Sequence, residues 1–312
     1  MSPGPAERRA VRPTPAVRAV PGRFGIKTTR AERIEPGGAR RAQPHTHIVH
    51  EDVLVIDVED IGNYSLMWTP TADPAQATGY CAADGILADD GIPEPLALAA
   101  GFLFTEGIIG ALSDVATMSI CADRPEMVRV RLTDAERSIV RRRNVVINSS
   151  CGICGGREQL ELDATSLERV PDSLRMTVAD LTAVQDEMRA RQDVFAATGG
   201  THAAAIFDAE SGTLSVAEDL GRHNALDKVI GHRLLGGLGF RKCGVFLSSR
   251  ISYEMAMKSA RAGFELVAAV SAPSSLAIET AACAGITLCG FVRDRGAVIY
   301  THPHRIVAPP RG

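Results

Sequence analysis

Between Val245 and Tyr300 short apolar runs alternate with helical segments, and this constrains the chain more than any other feature. Val245-Phe246-Leu247 and Leu266-Val267-Ala268-Ala269-Val270 read as buried strands, separated by a helix from Ser252 to Phe264 that Gly263 ends. A second helix from about Ser275 to Ala284 leads into Ile286–Phe291 and then Ala297–Tyr300. Strand, helix, strand, helix, strand implies right-handed crossovers onto a mostly parallel sheet. Upstream, Ala203–Phe207 and Leu214–Val216 form two more strands around the turn Glu210-Ser211-Gly212. From Thr177 to Phe195, the apolar residues Val178, Leu181, Val184, Met188 and Phe195 predict one striped helix. The expected fold class is α/β, α+β mixed, with a C-terminal domain over 177–306.

The N-terminal part reads as a smaller α+β domain over 45–150. Val53–Ile56 and Tyr64–Trp68 are strand candidates in a hairpin region around Gly62-Asn63, and Val128–Leu132 alternates as a strand with one wet face. Pro95 opens an apolar helix through Phe104 that ends near Gly107. Residues 1–44 carry ten Lys and Arg against three Glu, a surplus of seven that leaves the rest at −10 when the total is −3. With seven of the 17 prolines and no apolar period, this stretch reads as a disordered basic tail. No window approaches the roughly 18 apolar residues of a membrane span. Neither a membrane nor a nucleic acid is an expected partner, and seven cysteines, an odd number, fit a reducing cytoplasm better than a disulfide framework.

Chemistry concentrates in Asn148-Ser149-Ser150-Cys151-Gly152-Ile153-Cys154-Gly155-Gly156, the one closely spaced thiol pair. It opens a segment, 151–176, that reads as cysteine loop and linker after a strand ending in Val145-Val146-Ile147. Three glycines free the backbone, and a Cys-x-x-Cys pair lowers the first thiol toward a reactive thiolate. Disulfide exchange, sulfur carriage and metal ligation are all open to it. Structural zinc needs two more ligands at short spacing, and no second such pair exists. A zinc deaminase needs His-x-Glu before Pro-Cys-x-x-Cys, whereas His202 follows the cysteines and is followed by Ala203-Ala204. Thioredoxin-like exchange stays open, although Gly155-Gly156 is a poor helix start.

Polar residues also gather where strands end and helices begin. Ser248-Ser249-Arg250 and Ser271–Ser275 follow two strands, and in open α/β sheets this edge is the ligand crevice, where helix N-termini favour anions. Capping by Ser252 and Ser275 is the simpler account of the serines. Thr198-Gly199-Gly200-Thr201-His202 and Asp219–Lys228 are densely polar, and the second reads either as a binding segment or as a solvated helix face.

Six segments in order then carry a likeness: Ser150–Gly155, Thr198–Ala204, Gly221–Lys228, Ser249–Met255, Ser271–Pro273 and Gly290–Arg293. Together they resemble the FdhD family, the formate dehydrogenase accessory sulfurtransferases, over about residues 50–306. The resemblance implies a cytoplasmic, homodimeric sulfur carrier with a cytidine-deaminase-like C-terminal domain. It would take persulfide sulfur from a cysteine desulfurase and pass it to molybdenum bis(molybdopterin guanine dinucleotide) before insertion into the formate dehydrogenase catalytic subunit, with GDP or GMP as mimics. By motif position Cys151 would carry the persulfide and Cys154 assist, while Phe291, Val292, Arg293, Asp294, Arg295 and Gly296 would bind the cofactor. Polarity and placement add Gly199, Gly200, His202, Arg222, His223, Asn224, Lys228 and Arg250. A non-catalytic cofactor-binding chaperone is the alternative from another class. About twenty residues from Asp73 to Glu94, including Cys81, and the basic stretch before His45 depart from the family pattern.

Overall fold

The computed structural model describes residues 17–72, 79–85, 87, 91–134, 167–293 and 296–308. Cys151, Cys154 and the expected strand at 145–147 lie outside them, as do Asp294 and Arg295.

The chain opens with an antiparallel ribbon of β1 (Arg18–Val20), β2 (Arg23–Ile34) and β3 (Arg40–Val49), in the order β1-β2-β3. This corrects the expected disorder of residues 1–44 over the part that is described. Ladder hydrogen bonds need no apolar period, and the ribbon buries little beyond Gly25 and Ile26, so its sequence carries no core signal.

A five-stranded sheet follows, ordered β5-β4-β8-β7-β6, from β4 (Asp52–Val58), β5 (Gly62–Trp68), β6 (Gly79–Cys81), β7 (Val115–Cys121) and β8 (Arg124–Leu132). On β4, Leu54, Ile56 and Val58 face the core while Val53 and Val55 do not, the period of two of a sheet with one wet side. The inserted stretch after Asp73 supplies the edge strand β6, paired to β7. Its base is closed by Glu94, whose Oε2 accepts from the amides of Thr71 at 2.7 Å and Ala72 at 3.1 Å. Helix α1 (Glu94–Thr105) is buried almost all round because it packs against this sheet on one side and the C-terminal domain on the other.

The C-terminal domain contains α2 (Val178–Ala190), α3 (Asp193–Thr198), β9 (His202–Asp208), β10 (Gly212–Asp219), α4 (Arg222–Leu235), β11 (Cys243–Leu247), α5 (Tyr253–Ala262), β12 (Leu266–Ala269), α6 (Ser275–Ala284), β13 (Thr287–Arg293) and β14 (Gly296–Thr301). Thr177 starts α2 with a capping box, its hydroxyl accepting from Asp180 N at 3.1 Å and its amide donating to Asp180 Oδ2 at 2.8 Å. The single helix expected from Thr177 to Phe195 is two, broken at Arg191-Gln192, which leaves Phe195 exposed. The six-stranded sheet runs β10-β9-β11-β12-β13-β14. Only the β11–β12 and β12–β13 pairings are parallel; β9 and β14 run against their neighbours, so the sheet is mixed rather than mostly parallel. Periodicity reports burial and not strand direction, hence the difference.

Helices α1 and α4 cross at two glycines. A Cβ on Gly101 would stand 1.8 Å from the carbonyl oxygen of Asp227, and one on Gly231 would stand 1.8 Å from that of Ala97. The two backbones therefore touch, which only glycine permits here. This contact joins the domains and sets where the N-terminus of α4 points.

Candidate functional site

Because β10, β11, β12 and β13 run the same way, their carboxyl ends share one edge of the sheet with the start of β9. The N-termini of α4, α5 and α6 open there, each after one of these strands. Backbone N–H groups at such ends are unsatisfied within the helix and attract negative charge.

Four of the expected site residues converge on this edge. His202 begins β9 opposite Asp219; Arg222 and His223 are the first two residues of α4; Arg250 follows β11 and is exposed. Burial first, then the charges of Arg222, Arg250 and His223, push the His202 imidazole below its ordinary value, against a smaller pull from Asp219. His202 is thus the neutral member of a cationic group. The Nε of Arg222 is buried with no partner among the described residues, and so is Oγ of Ser252, which occupies the cap position of α5 without capping it. Capping does account for Ser274, whose hydroxyl accepts from Ala277 N at 3.3 Å; the cap of α6 is this residue rather than Ser275. Unpaired buried donors are rare in folded proteins and call for an explanation at each occurrence.

Phe291 stands at the same edge in an unusual conformation. Its φ is +53°, where an aromatic residue is disfavoured, yet it is 42% exposed, so no burial of the ring offsets that strain. A bulge between Gly290 and Arg293 in the β13–β14 pairing makes the turn, and the Phe291 amide donates to Ser271 O at 3.2 Å. Val292 is fully buried and Arg293 exposed, so of this pair the arginine can meet a ligand.

Other expected residues serve the scaffold. Gly199 ends α3 with φ +68°, and a Cβ on Gly200 would stand 3.0 Å from Val49 of β3, so these glycines make a turn and fit the ribbon. Asn224 donates from Nδ2 to Met67 O at 2.7 Å and Asp219 Oδ1 at 2.9 Å. Lys228 is 2% exposed, with Nζ 2.7 Å from Glu94, 2.8 Å from Asp219, 2.7 Å from Thr69 O and 3.0 Å from Glu218 O. Burial alone pulls this ammonium down; Asp219 and Glu94 more than reverse it, so it titrates above the ordinary lysine value. Its donors are fully used inside the fold. A second buried lysine, Lys258 on α5, repeats the pattern with Asp227 at 2.7 Å, Glu106 at 3.0 Å and Thr105 Oγ1 at 2.8 Å.

Sequence reasoning singled out neither Lys258 nor Glu254. Glu254, in the second position of α5, lies 2.8 Å from His223 Nε2 through its Oε2. The carboxyl is held below its ordinary value first by the bond from His223, against desolvation, with His223, Lys258 and Arg222 adding charge attraction. The signal was present, since Glu254 lies inside the segment Ser249–Met255, but nothing in that segment shows which face of α5 meets α4.

The isolated cysteines behave as packing residues where they are buried. Burial pushes the Cys289 thiol up to about 12 and raises that of Cys243, which disfavours both thiolates. A cavity of about 1020 Å³ lies elsewhere, beside the edge strand β10 and beneath the ribbon turn at Gly22–Phe24. None of His202, Arg222, His223 or Arg250 lines it. Among the described residues no helix is long and apolar enough to cross a membrane, and no group of His, Cys, Asp and Glu is arranged to hold a metal ion.

With this geometry in hand, comparison with known proteins gives a coherent result. The model of the FdhD/NarQ family matches residues 92–307. A protein of Sulfolobus acidocaldarius named sulfur carrier protein FdhD is 42% identical over 217 residues, 68% of this chain and 80% of its own length. One of the same name from Bordetella bronchiseptica is 34% identical over 283 residues, 90% of this chain and 94% of its own. The crystal structure of a putative formate dehydrogenase accessory protein from Desulfotalea psychrophila superposes with a TM-score of 0.66 at 23% identity, covering 90% of this chain and 98% of that one.

Proposed function

The chain belongs to the FdhD/NarQ family, and on that premise we propose that it is a sulfur carrier serving formate dehydrogenase. In this reading Cys151 accepts sulfur as a persulfide from a cysteine desulfurase and passes it to molybdenum bis(molybdopterin guanine dinucleotide). Cys154 assists, and the strand-end crevice receives the cofactor. The reading includes a cytoplasmic homodimer and the formate dehydrogenase catalytic subunit as recipient. We also read the C-terminal domain as cytidine-deaminase-like, because its first five strands lie in the order second, first, third, fourth, fifth, with the first antiparallel to the rest.

The observation that carries the proposal is the unpartnered Nε of Arg222 at the mouth of three helix N-termini. A guanidinium with an unpartnered donor, sharing the surroundings of His202 with Arg250, suits a diphosphate, which accepts several hydrogen bonds at once. The cargo is doubly anionic at each nucleotide, so the fit is electrostatic as well as geometric. Thiolate attack by Cys151 on the desulfurase persulfide would move one sulfur atom and leave the desulfurase cysteine as its thiolate, with no net oxidation.

Intact-mass analysis after incubation with a cysteine desulfurase and cysteine tests the carrier role: Cys151 should gain one sulfur atom, and Cys151→Ala should gain none. An unmodified Cys151 in folded protein would refute it. Full activation of formate dehydrogenase in cells by Cys151→Ala would favour the non-catalytic chaperone instead.

A further inference from the structure

Strand β10 is an edge of the six-stranded sheet, paired with β9 and with no other described strand. Five consecutive residues of it, Leu214–Glu218, line the cavity of about 1020 Å³. The ladder decides which of their backbone groups face that space. The Ser248 amide donates to Ala203 O at 3.0 Å, so Ala203 turns toward β11 and its β10 partner Glu218 turns outward. Alternation turns Val216 outward as well. Glu218 O is taken by Lys228 Nζ at 3.0 Å. The N–H and C=O of Val216 have no hydrogen-bond partner among the described residues. Ser215 Oγ, on the same wall, is buried and equally unpartnered. An edge with open donors and acceptors is a template for one more strand.

Size and charge narrow what that strand can be. Leu214–Glu218 runs about 17 Å at the usual strand rise, which gives the cavity a mean cross-section of about 60 Å², close to the ~48 Å² one strand takes up in packed sheets. The charges in the lining cancel, Arg23, Arg191 and Lys228 against Glu94, Asp193 and Glu218, while Phe24, Ile92, Val194, Leu214 and Val229 supply apolar walls. With the ribbon turn on one side and α4 on the other, the opening admits a lone extended segment and not the edge of a second folded sheet. Residues 1–16 do not match this chemistry, since they carry four prolines and three arginines.

We propose that this cavity receives an uncharged, apolar extended segment of a partner protein, which adds to β10 as a seventh strand and exchanges both backbone hydrogen bonds with Val216. The pairing is short. The bulge between Thr213 and Ser215 ends the regular edge on one side, and Lys228 occupies the Glu218 carbonyl on the other. The site is independent of the strand-end crevice, none of whose cationic residues lines the cavity.

Fluorescence anisotropy of the full chain with a labelled peptide of alternating valine and threonine, solubilised by lysines beyond the paired stretch, tests this. Binding should saturate. Methylating the peptide nitrogens of one alternate set removes the donor to Val216 O and should weaken binding about tenfold, while methylating the other set should leave it within about twofold. Ala196 is exposed and lines the cavity, so Ala196→Trp should abolish binding at an unchanged Tm. No saturable binding, equal losses from the two methylated sets, or full binding to Ala196→Trp would each overturn the proposal. Tighter peptide binding after removal of residues 1–16 would make this chain's own N-terminal segment the occupant and overturn the assignment to a partner. A wild-type dimer that the peptide dissociates would overturn it in favour of a second copy.

Discussion

Two polar clusters flank the N-terminal half of α4, and they differ in one respect that separates architecture from function. Around Lys228 and Lys258, in the seam between the domains, every cation has carboxylates within 3.0 Å and the surrounding donors are used. Around Arg222, at the strand ends, buried donors stay unpaired. Both clusters are charged, both use residues of one short sequence segment, and both lie where the protein excludes much of the water. A charge satisfied inside the fold contributes to holding it together, while an unsatisfied one has an interaction still to make. Glu254 lies between the two, its Oε2 2.8 Å from His223 Nε2 on one side and within the field of Lys258 on the other.

Several measurements would break or sharpen that contrast. The largest effect belongs to the seam: Lys228→Met strands Asp219 and Glu94 without their cation and should destabilise the protein by about 3–5 kcal/mol in denaturant unfolding. A small loss there would mean that the seam charges are not structural. Next, Gly101→Ala forces a methyl into the Asp227 carbonyl at the helix crossing and should cost about 1–3 kcal/mol or more, seen as a lower Tm. The crevice should answer oppositely. Arg222→Gln should leave stability within about 0.5 kcal/mol yet weaken GDP binding about tenfold, as expected for one charge-assisted bond.

The smallest effect is a proton. His202 is held below 6.5, so the fold binds less proton than the unfolded chain, and its contribution to stability is whole above pH 6.5 and shrinks as pH falls through the window beneath. An anion that neutralises Arg222 and Arg250 removes two of the causes of that depression. GDP binding should therefore raise the pH at which His202 titrates, visible as a displaced titration curve of its ring resonances in NMR. An unmoved or lowered midpoint would contradict the charge distribution described.

The clusters were legible in the sequence as one object and not as two. Asp219 through Lys228 reads as a dense polar segment, but whether a given residue turns inward is decided by partners far along the chain. Met67, Thr69 and Glu94 come from the other domain, and it is they that absorb Asn224 and Lys228. The buried strands of the C-terminal domain were readable because apolar runs report burial directly. The ribbon was not, since strands that pair without a core leave no period to read. Phe291 belonged to an expected binding passage, yet its positive φ arises from the β13–β14 bulge and has no local sequence mark.

The crossing of α1 and α4 has a consequence for how the molecule can work. Helices in backbone contact at Gly101 and Gly231 have no side chain between them to repack, so a shift of either at this point meets carbonyl oxygens and not a pliable methyl or ring.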